Sequence, residues 1–399
     1  NARDVAHQLS IEKPYAQHRL LHRHIENVSN IEVSKNGKLV ASSGDGIQVW
    51  PVEETKQKPL IWSETGGRVN NLIFSADDHW LAAAGSQVRL WDLSKPNFDP
   101  IILENATGNA TFSPNGVWLA TADENQKHAV LLWKTDNLTD APTELQRHKY
   151  EITALAFSQD SRWLATASYQ NVVHLHSLDQ LTAPPTLLPV DQDGANVLAF
   201  SPDGRWLATV GISLRLWQIA ALNKPPIVLE GHDPIASTAT FSSDSRWFSS
   251  TGWDGIVRLW RIHDDSAELV DLKDNQGFSW AGFFNSVAAF SPDSRWFVSV
   301  NDDRVKIWRL DQQMDEPIVI PGVGKRAVTV SRQWLATADD AGTLQLWQYQ
   351  ENDLIALACK VAGRNLNQKE WEEYFPGKVY RQTCSNLSES PSAPVSVGG

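Results

Sequence analysis

His232, Ser250 and Asp254 are the residue types that acyl-transfer chemistry uses, and Trp260 follows six residues later. In that chemistry the imidazole takes a proton from the hydroxyl, and the carboxylate fixes the imidazole's tautomer. The GxSxG elbow that presents a nucleophilic serine on a sharp turn is absent from the sequence. A second candidate is HRLLHRH (18–24), in which His18, His22 and His24 would share one face of a strand, an arrangement able to gather a metal ion. Strand pairing and ring closure are the favoured roles for that segment. The choice between readings rests with the elements that carry these residues.

Those elements repeat. FSPDGRWLATV (200–210) has counterparts in FSADDHWLAA (74–83), FSPNGVWLAT (112–121), FSQDSRWLAT (157–166), FSSDSRWFSS (241–250) and FSPDSRWFVS (290–299). VSKNGKLVAS (33–42) puts Leu39 in place of the tryptophan, and VSRQWLAT (330–337) loses two turn residues, making eight copies. Within one copy, ANVLAF (195–200) is an apolar strand and SPDG a tight reversal, with proline and Asp-Gly at turn positions. RWLATV and SLRLW (213–217) follow as strands, and PIVLEG (226–231) supplies a fourth in the connection to the next copy. The third strands end at Trp50, Trp91, Trp133, His176, Trp217, Trp260, Trp308 and Trp347, spaced by 41, 42, 43, 41, 43, 48 and 39 residues. Four strands recurring at this period predict a β-propeller. Trp80, Trp118, Trp163, Trp206, Trp247, Trp296 and Trp334 occupy one position of the second strand, which marks them as packing residues between blades.

The pattern resembles that of WD-repeat proteins over roughly residues 17–348. Gly-His at 231–232, Arg-His at 23–24 and 147–148, and Trp91-Asp92 carry the resemblance. It implies an all-β, WD-repeat-like β-propeller; the eight copies argue for eight four-stranded blades, with seven, the common number in the family, as the alternative. It also implies that RLLHRH (19–24) completes the sheet ending at Trp347. His232, Ser250, Asp254 and Trp260 match the family's structural hydrogen-bond tetrad, so the resemblance implies a staple where the residue types alone suggest catalysis.

Charge and composition narrow the function further. Lys plus Arg number 35 against 47 Asp plus Glu, a net charge of −12, which lacks the basic footprint of a nucleic-acid partner. No apolar run has the length of a membrane span, and no basic-then-apolar leader opens the sequence, so a cytoplasmic location is expected. The two cysteines, Cys359 and Cys384, lie beyond the repeats and do not form a disulfide framework. The first strands end in IEV, LIF, ATF, LAF, LAF, ATF, AAF and VTV, where Glu32 is the one charge. Such a channel wall offers neither paired carboxylates nor a histidine cluster, so no cofactor, metal or catalytic residue is expected there.

The ends differ in character. Residues 1–16 read as a linker from an upstream region, a reading prompted by the missing initial methionine. Residues 349–384 read as a helical tail packed on the propeller: Leu354, Leu357, Ala358 and Val361 have helical spacing, and Asn367 with Glu370 resembles a capping box. Residues 385–399 are rich in Ser, Pro and Gly, a composition that predicts disorder. CKVAGRNLNQKEWEEYFPGKVYRQTC (359–384) resembles the tail closing many bacterial WD-repeat proteins, in which the propeller follows an NTPase, peptidase or TIR effector region. The resemblance implies a non-catalytic, protein-binding propeller, the ligand-sensing or docking module of a larger bacterial signalling or defence protein. The alternative is an enzyme or small-ligand binder acting at the channel mouth. Surplus aromatics nominate the partner site. Trp253 and Trp280 fall in loops of one rim, with Phe278, Phe283 and Phe284 beside Trp280 in the insertion 273–284, and Tyr150 and Tyr169 in matching loops of repeat four.

Overall fold

One tight turn leads into the second strand of the repeats, and its hydrogen bonds explain the sequence FS-x-D. The Ser201 hydroxyl donates to Asp203 Oδ1 at 2.6 Å and accepts the Trp206 N–H at 2.9 Å. The same bonds recur at Ser34, Ser75, Ser113, Ser242 and Ser291, and at Ser158. These serines are buried, so the hydroxyl satisfies a backbone donor that water does not reach. Burial opposes ionisation of Asp77, Asp203 and Asp244, but serine and backbone hydrogen bonds outweigh it and hold all three carboxyls below their ordinary value.

Two residues before the tryptophan position, the turn needs a positive φ. Gly37, Gly116 and Gly204 supply it without steric cost, at 71–72°. Asp78, Ser161, Ser245 and Ser294 adopt it at 55–59° and use the side chain to bind the preceding repeat's turn. Asp78 accepts the Lys35 and Asn36 N–H groups at 2.7 and 2.9 Å. Ser161, Ser245 and Ser294 each accept one backbone N–H, from Asn115, Asp203 and Asp244, at 3.0 Å.

The structure is a computed structural model that describes residues 19–23, 28, 30–44, 46–52, 59–62, 69–95, 99–123, 128–230, 232, 236–270, 272, 287–301, 304–310, 317–321, 327–330, 334–338, 343–348, 365 and 368. Eight four-stranded sheets are built from these residues, each strand bonded to the next. In chain order they are Asn30–Val33, Leu39–Ser43, Ile47–Pro51 and Leu60–Trp62; then Val69–Phe74, Trp80–Gly85, Val88–Asp92 and Ile101–Leu103. Ala106–Phe112, Trp118–Asp123, Val130–Lys134 and Thr143–Glu144 form the third; Ile152–Phe157, Trp163–Ser168, Val172–Ser177 and Thr186–Pro189 the fourth. The fifth holds Val197–Phe200, Trp206–Val210, Leu214–Gln218 and Ile227–Leu229, and the sixth Ala236–Phe241, Trp247–Gly252, Val257–Ile262 and Ala267–Val270. Val287–Phe290, Trp296–Asn301, Arg304–Arg309 and Ile318–Pro321 make the seventh. The last joins Ala327–Val330, Trp334–Ala338 and Thr343–Gln348 to the N-terminal strand Arg19–Arg23, as the resemblance implied. The fourth strand expected over 143–148 is shorter, its paired register with the third strand covering Thr143 and Glu144.

First strands of consecutive sheets neighbour one another, and Ala327–Val330 neighbours Asn30–Val33. By compactness the chain divides into two units. The larger comprises Leu21–Arg332 and Ala336–Leu344, and this closed circuit of first strands lies within it. The smaller comprises Asn1–Leu20, Gln333–Leu335 and Gln345–Gly399. Residues 1–16 and 385–399 lie outside the described residues, as does the expected helical tail, 349–384, apart from Asn365 and Gln368.

The recurring tryptophans pack toward the next repeat. Trp206 sits with Phe248 and Trp260, Trp247 with Phe297 and Trp308, and Trp163 against Leu207 and Trp217. Trp206, Trp247 and Trp296 are buried, whereas Trp80, Trp118 and Trp163 remain half-buried. Cationic chains on the third strand cover three of the indoles: Lys134 lies 5.9 Å from the Trp118 ring, Arg261 5.7 Å from Trp247 and Arg309 5.6 Å from Trp296.

Candidate functional site

Three strands and one turn of repeat six bring its polar residues together. Ser250 lies on Trp247–Gly252, Trp260 on Val257–Ile262, Asp254 in the turn between them, and His232 ahead of Ala236–Phe241. His232 Nε2 is 2.6 Å from Ser250 Oγ, and Nδ1 is 2.9 Å from Asp254 Oδ1. Arg258 Nη1 donates to Asp254 Oδ2 at 2.6 Å and lies 2.7 Å from the imidazole. Trp260 stands edge-on to His232, its ring centroid 6.4 Å away. A Cβ at Gly252 would overlap both His232 Nδ1 and Asp254 Oδ1, so glycine is required beside the pair. Burial disfavours the Asp254 carboxylate, but bonds from His232 and Arg258 outweigh this and hold its pKa below the ordinary value.

This arrangement has the order of an acyl-transfer triad without its access. The Ser250 residue and the His232 side chain have no exposed surface, so no acyl carbon can approach the hydroxyl. What the arrangement does is tie the entry to the first strand, the second strand and the following turn into one buried network.

Repeat four carries a variant that sequence reasoning missed, although His176 marked the departure. His148, His174 and His176 are all buried there, with Thr166 and Gln170 between them. Among the described residues no group of three His, Cys, Asp or Glu side chains has the geometry to hold a metal ion. His22 lies on Arg19–Arg23, and His18 and His24 fall outside the described residues, as do Cys359 and Cys384.

The rim loops expose large apolar groups. Tyr169 and Trp253 follow Trp163 and Trp247 by six residues and are 55% and 52% exposed. Ile212 follows Trp206 by the same interval and is 42% exposed, a third member that its shorter turn and aliphatic side chain concealed in the sequence. Tyr150 joins them: Lys149 N–H donates to Gln170 Oε1 at 3.2 Å, which ties its loop to that of Tyr169. Trp280, Phe278, Phe283 and Phe284 lie outside the described residues.

At the first strands, burial pushes the Glu32 carboxyl up to about 7, with the Lys35 charge acting in the opposite direction. The wall is less apolar than the strand ends indicated. Asn30 Nδ2 donates to the Val69 carbonyl at 3.3 Å, Asn109 Nδ2 to Thr153 at 2.7 Å, and Thr153 Oγ1 to Ala195 at 2.5 Å. These amides and hydroxyls are engaged in joining neighbouring first strands. No helix among the described residues is long and apolar enough to cross a membrane.

Sheets of four strands, a recurrent turn and a buried His–Ser–Asp staple are features of WD40-repeat β-propellers, and four segments, 59–92, 141–177, 223–261 and 279–309, match the family model "WD domain, G-beta repeat". The chain is 34% identical over 88 residues to human WD repeat-containing protein 36, and 31% identical over 120 residues to the small ribosomal subunit protein RACK1 of Schizosaccharomyces pombe. It is 41% identical over 73 residues to cross-pathway control WD-repeat protein 2 of Flammulina velutipes. These matches cover 21%, 29% and 18% of this chain, and 10%, 37% and 22% of the relatives' own lengths. In a crystal structure of the mitotic checkpoint complex, a chain with 18% identity superposes with a TM-score of 0.56 over 94% of that chain and 73% of this one. WD40 propellers are in general protein-interaction scaffolds, not catalysts.

Proposed function

We propose that this propeller docks a protein partner on the rim bearing Tyr150, Tyr169, Ile212 and Trp253. The observation that carries the reading is the shared register of Tyr169 and Trp253, each more than half exposed at the same turn of repeats four and six. An exposed indole or phenol ring costs solubility and gains affinity when a partner covers it, and such rings dominate binding hot spots. The net charge of −12 favours a partner segment that presents apolar side chains flanked by basic ones. A relative named as a ribosomal subunit protein supports a role in assemblies.

Residues 17–348 form an eight-bladed docking module, 349–384 pack on it, and the module is non-catalytic and cytoplasmic. It serves a larger bacterial signalling or defence polypeptide with an upstream NTPase, peptidase or TIR region. The resemblance of residues 359–384 to bacterial tails supports that setting, while the matched relatives come from human, yeast and a mushroom. Sequencing the gene upstream tests it: an open frame encoding such a region agrees, and a stop codon directly ahead contradicts it.

The rim is tested by replacing Tyr169 and Trp253 together with alanine and measuring retention of bound partner alongside thermal unfolding. Lost retention with an unchanged melt agrees with the proposal. Unchanged retention, or equal loss with alanine at Asn115 on the opposite rim, contradicts it.

A further inference from the structure

Repeat four matches repeat six without a gap, yet it exchanges the ions of the staple for neutral groups. His148 and Thr166 take the places of His232 and Ser250, Gln170 that of Asp254, His174 that of Arg258, and His176 that of Trp260. The hydrogen bonds run in a fixed direction. Gln170 Oε1 accepts the Lys149 N–H, so the amide NH2 faces the histidines and donates to His148 Nδ1 at 2.8 Å and His174 Nε2 at 3.2 Å. With Nδ1 accepting, His148 carries its proton on Nε2 and donates to Thr166 Oγ1 at 2.7 Å. Thr166 Oγ1 in turn lies 3.5 Å from His176 Nε2. A proton added at His148 Nδ1 or His174 Nε2 would set donor against donor at Gln170.

Packing leaves little room for charge. The rings of His148 and His174 stack with centroids 3.9 Å apart, and His176 meets His174 edge-on at 5.9 Å. His174 Nδ1 and Ser168 Oγ are buried without a hydrogen-bond partner. His128, whose carbonyl accepts the His148 N–H at 2.8 Å, adds a further imidazole. Charged residues on the neighbouring segments include Asp123, Arg147, Lys149 and Glu151 on one side and Asp191 and Asp193 on the other. Arg147 is paired with Glu144, and Asp191 with Ser213 and Arg215. No carboxylate is hydrogen-bonded to the cluster among the described residues.

We propose that this histidine cluster is an acid-operated latch: in its neutral form it holds the Tyr150 and Tyr169 loops together, and protonation releases them. Burial, with the neighbouring imidazoles adding to it, lowers His148 to about 3 and His176 to about 4, and burial lowers His174. Because the folded values lie below the ordinary 6.5, the latch is whole above that pH and weakens as pH falls toward the folded values. Between pH 7 and pH 5 each such histidine favours local opening by roughly 20-fold. A consequence for partner docking rests on the rim reading; the latch itself does not.

Amide exchange on the full chain at pH 7 and pH 5, corrected for intrinsic pH dependence, tests the latch with repeat six as internal reference. Segments 148–150 and 169–176 should lose at least about 20-fold more protection than 247–260. Replacing Gln170→Asp, His174→Arg and His176→Trp, which installs the residues of repeat six, should remove the difference. Should that variant not fold, imidazole nitrogen NMR of the unaltered chain decides: His148 and His176 neutral at pH 5, with the His148 proton on Nε2, agrees. Equal loss in both repeats, or imidazoles titrating near 6.5 with protection unchanged, overturns the latch. Acid release of repeat four with partner retention unaffected by the rim substitutions keeps the latch and removes the rim.

Discussion

The indole N–H of Trp133 donates to the Thr121 hydroxyl at 3.0 Å, joining the third strand of its sheet to the second. Trp217 with Thr209 and Trp308 with Ser299 repeat the bond at 3.1 and 3.0 Å. In repeat two the hydroxyl position is Ala83, and the Trp91 indole nitrogen is buried without an acceptor. An unsatisfied buried donor costs about 1–3 kcal/mol, and a formed bond contributes about 1 kcal/mol net. Ala83→Thr should therefore stabilise the protein by about 1 kcal/mol in chemical unfolding. A loss of stability would mean that the tight packing at Ala83 outweighs the new bond.

His232 is held between a hydroxyl and a carboxylate. His232→Ala takes the imidazole partner from the buried Ser250 hydroxyl and leaves Asp254 to Arg258 and the Ile256 N–H, and should cost about 1–3 kcal/mol. Equilibrium unfolding checks this, and an unchanged midpoint would contradict the staple.

The turn residues at positive φ separate strain from bonding. Ser245 holds φ 59° and accepts the Asp203 N–H from the preceding repeat. Ser245→Ala loses the bond and keeps the strain, whereas Ser245→Gly loses the bond and relaxes the strain. The alanine variant should be less stable than the glycine variant by about 1 kcal/mol. Equal midpoints would show that the turn imposes no strain.

Glu32 gives a pH dependence of opposite sign to the latch. Its folded pKa, about 7, exceeds the ordinary 4.5, so the neutral form is preferred in the folded state and stability declines as pH rises through that interval. Glu32→Gln should match the parent at pH 4 and exceed it by about 1–3 kcal/mol at pH 8, the half-buried position moderating the gain. Identical pH profiles would place Glu32 in contact with water.

Local chemistry was legible in the sequence, and long-range register was not. Ser201, Asp203 and Trp206 bond within five residues, so FS-x-D-x-x-W announces its own turn. His232, Ser250 and Asp254 could be placed because their positions match a familiar spacing. Gln170 and His174 escaped notice because an amide and an imidazole carry no shared signature until strand pairing sets them on either side of His148. The half-burial of Trp80, Trp118 and Trp163 was hidden for a related reason: identical letters in each repeat meet different neighbours in the next.

Site-specific crosslinking addresses the docking rim most directly. A photoreactive phenylalanine analogue placed at Tyr169, and separately at Trp253, is compared with the same group at Asn115 and Asp203. Antiparallel pairing puts the turns that carry Asn115 and Asp203 at the far ends of the strands. One protein adduct is expected, shared by positions 169 and 253, absent from the two control positions and abolished when Trp253→Ala is combined with the probe at 169. Adducts of equal yield from both rims, or crosslinks to nucleic acid in place of protein, would contradict it.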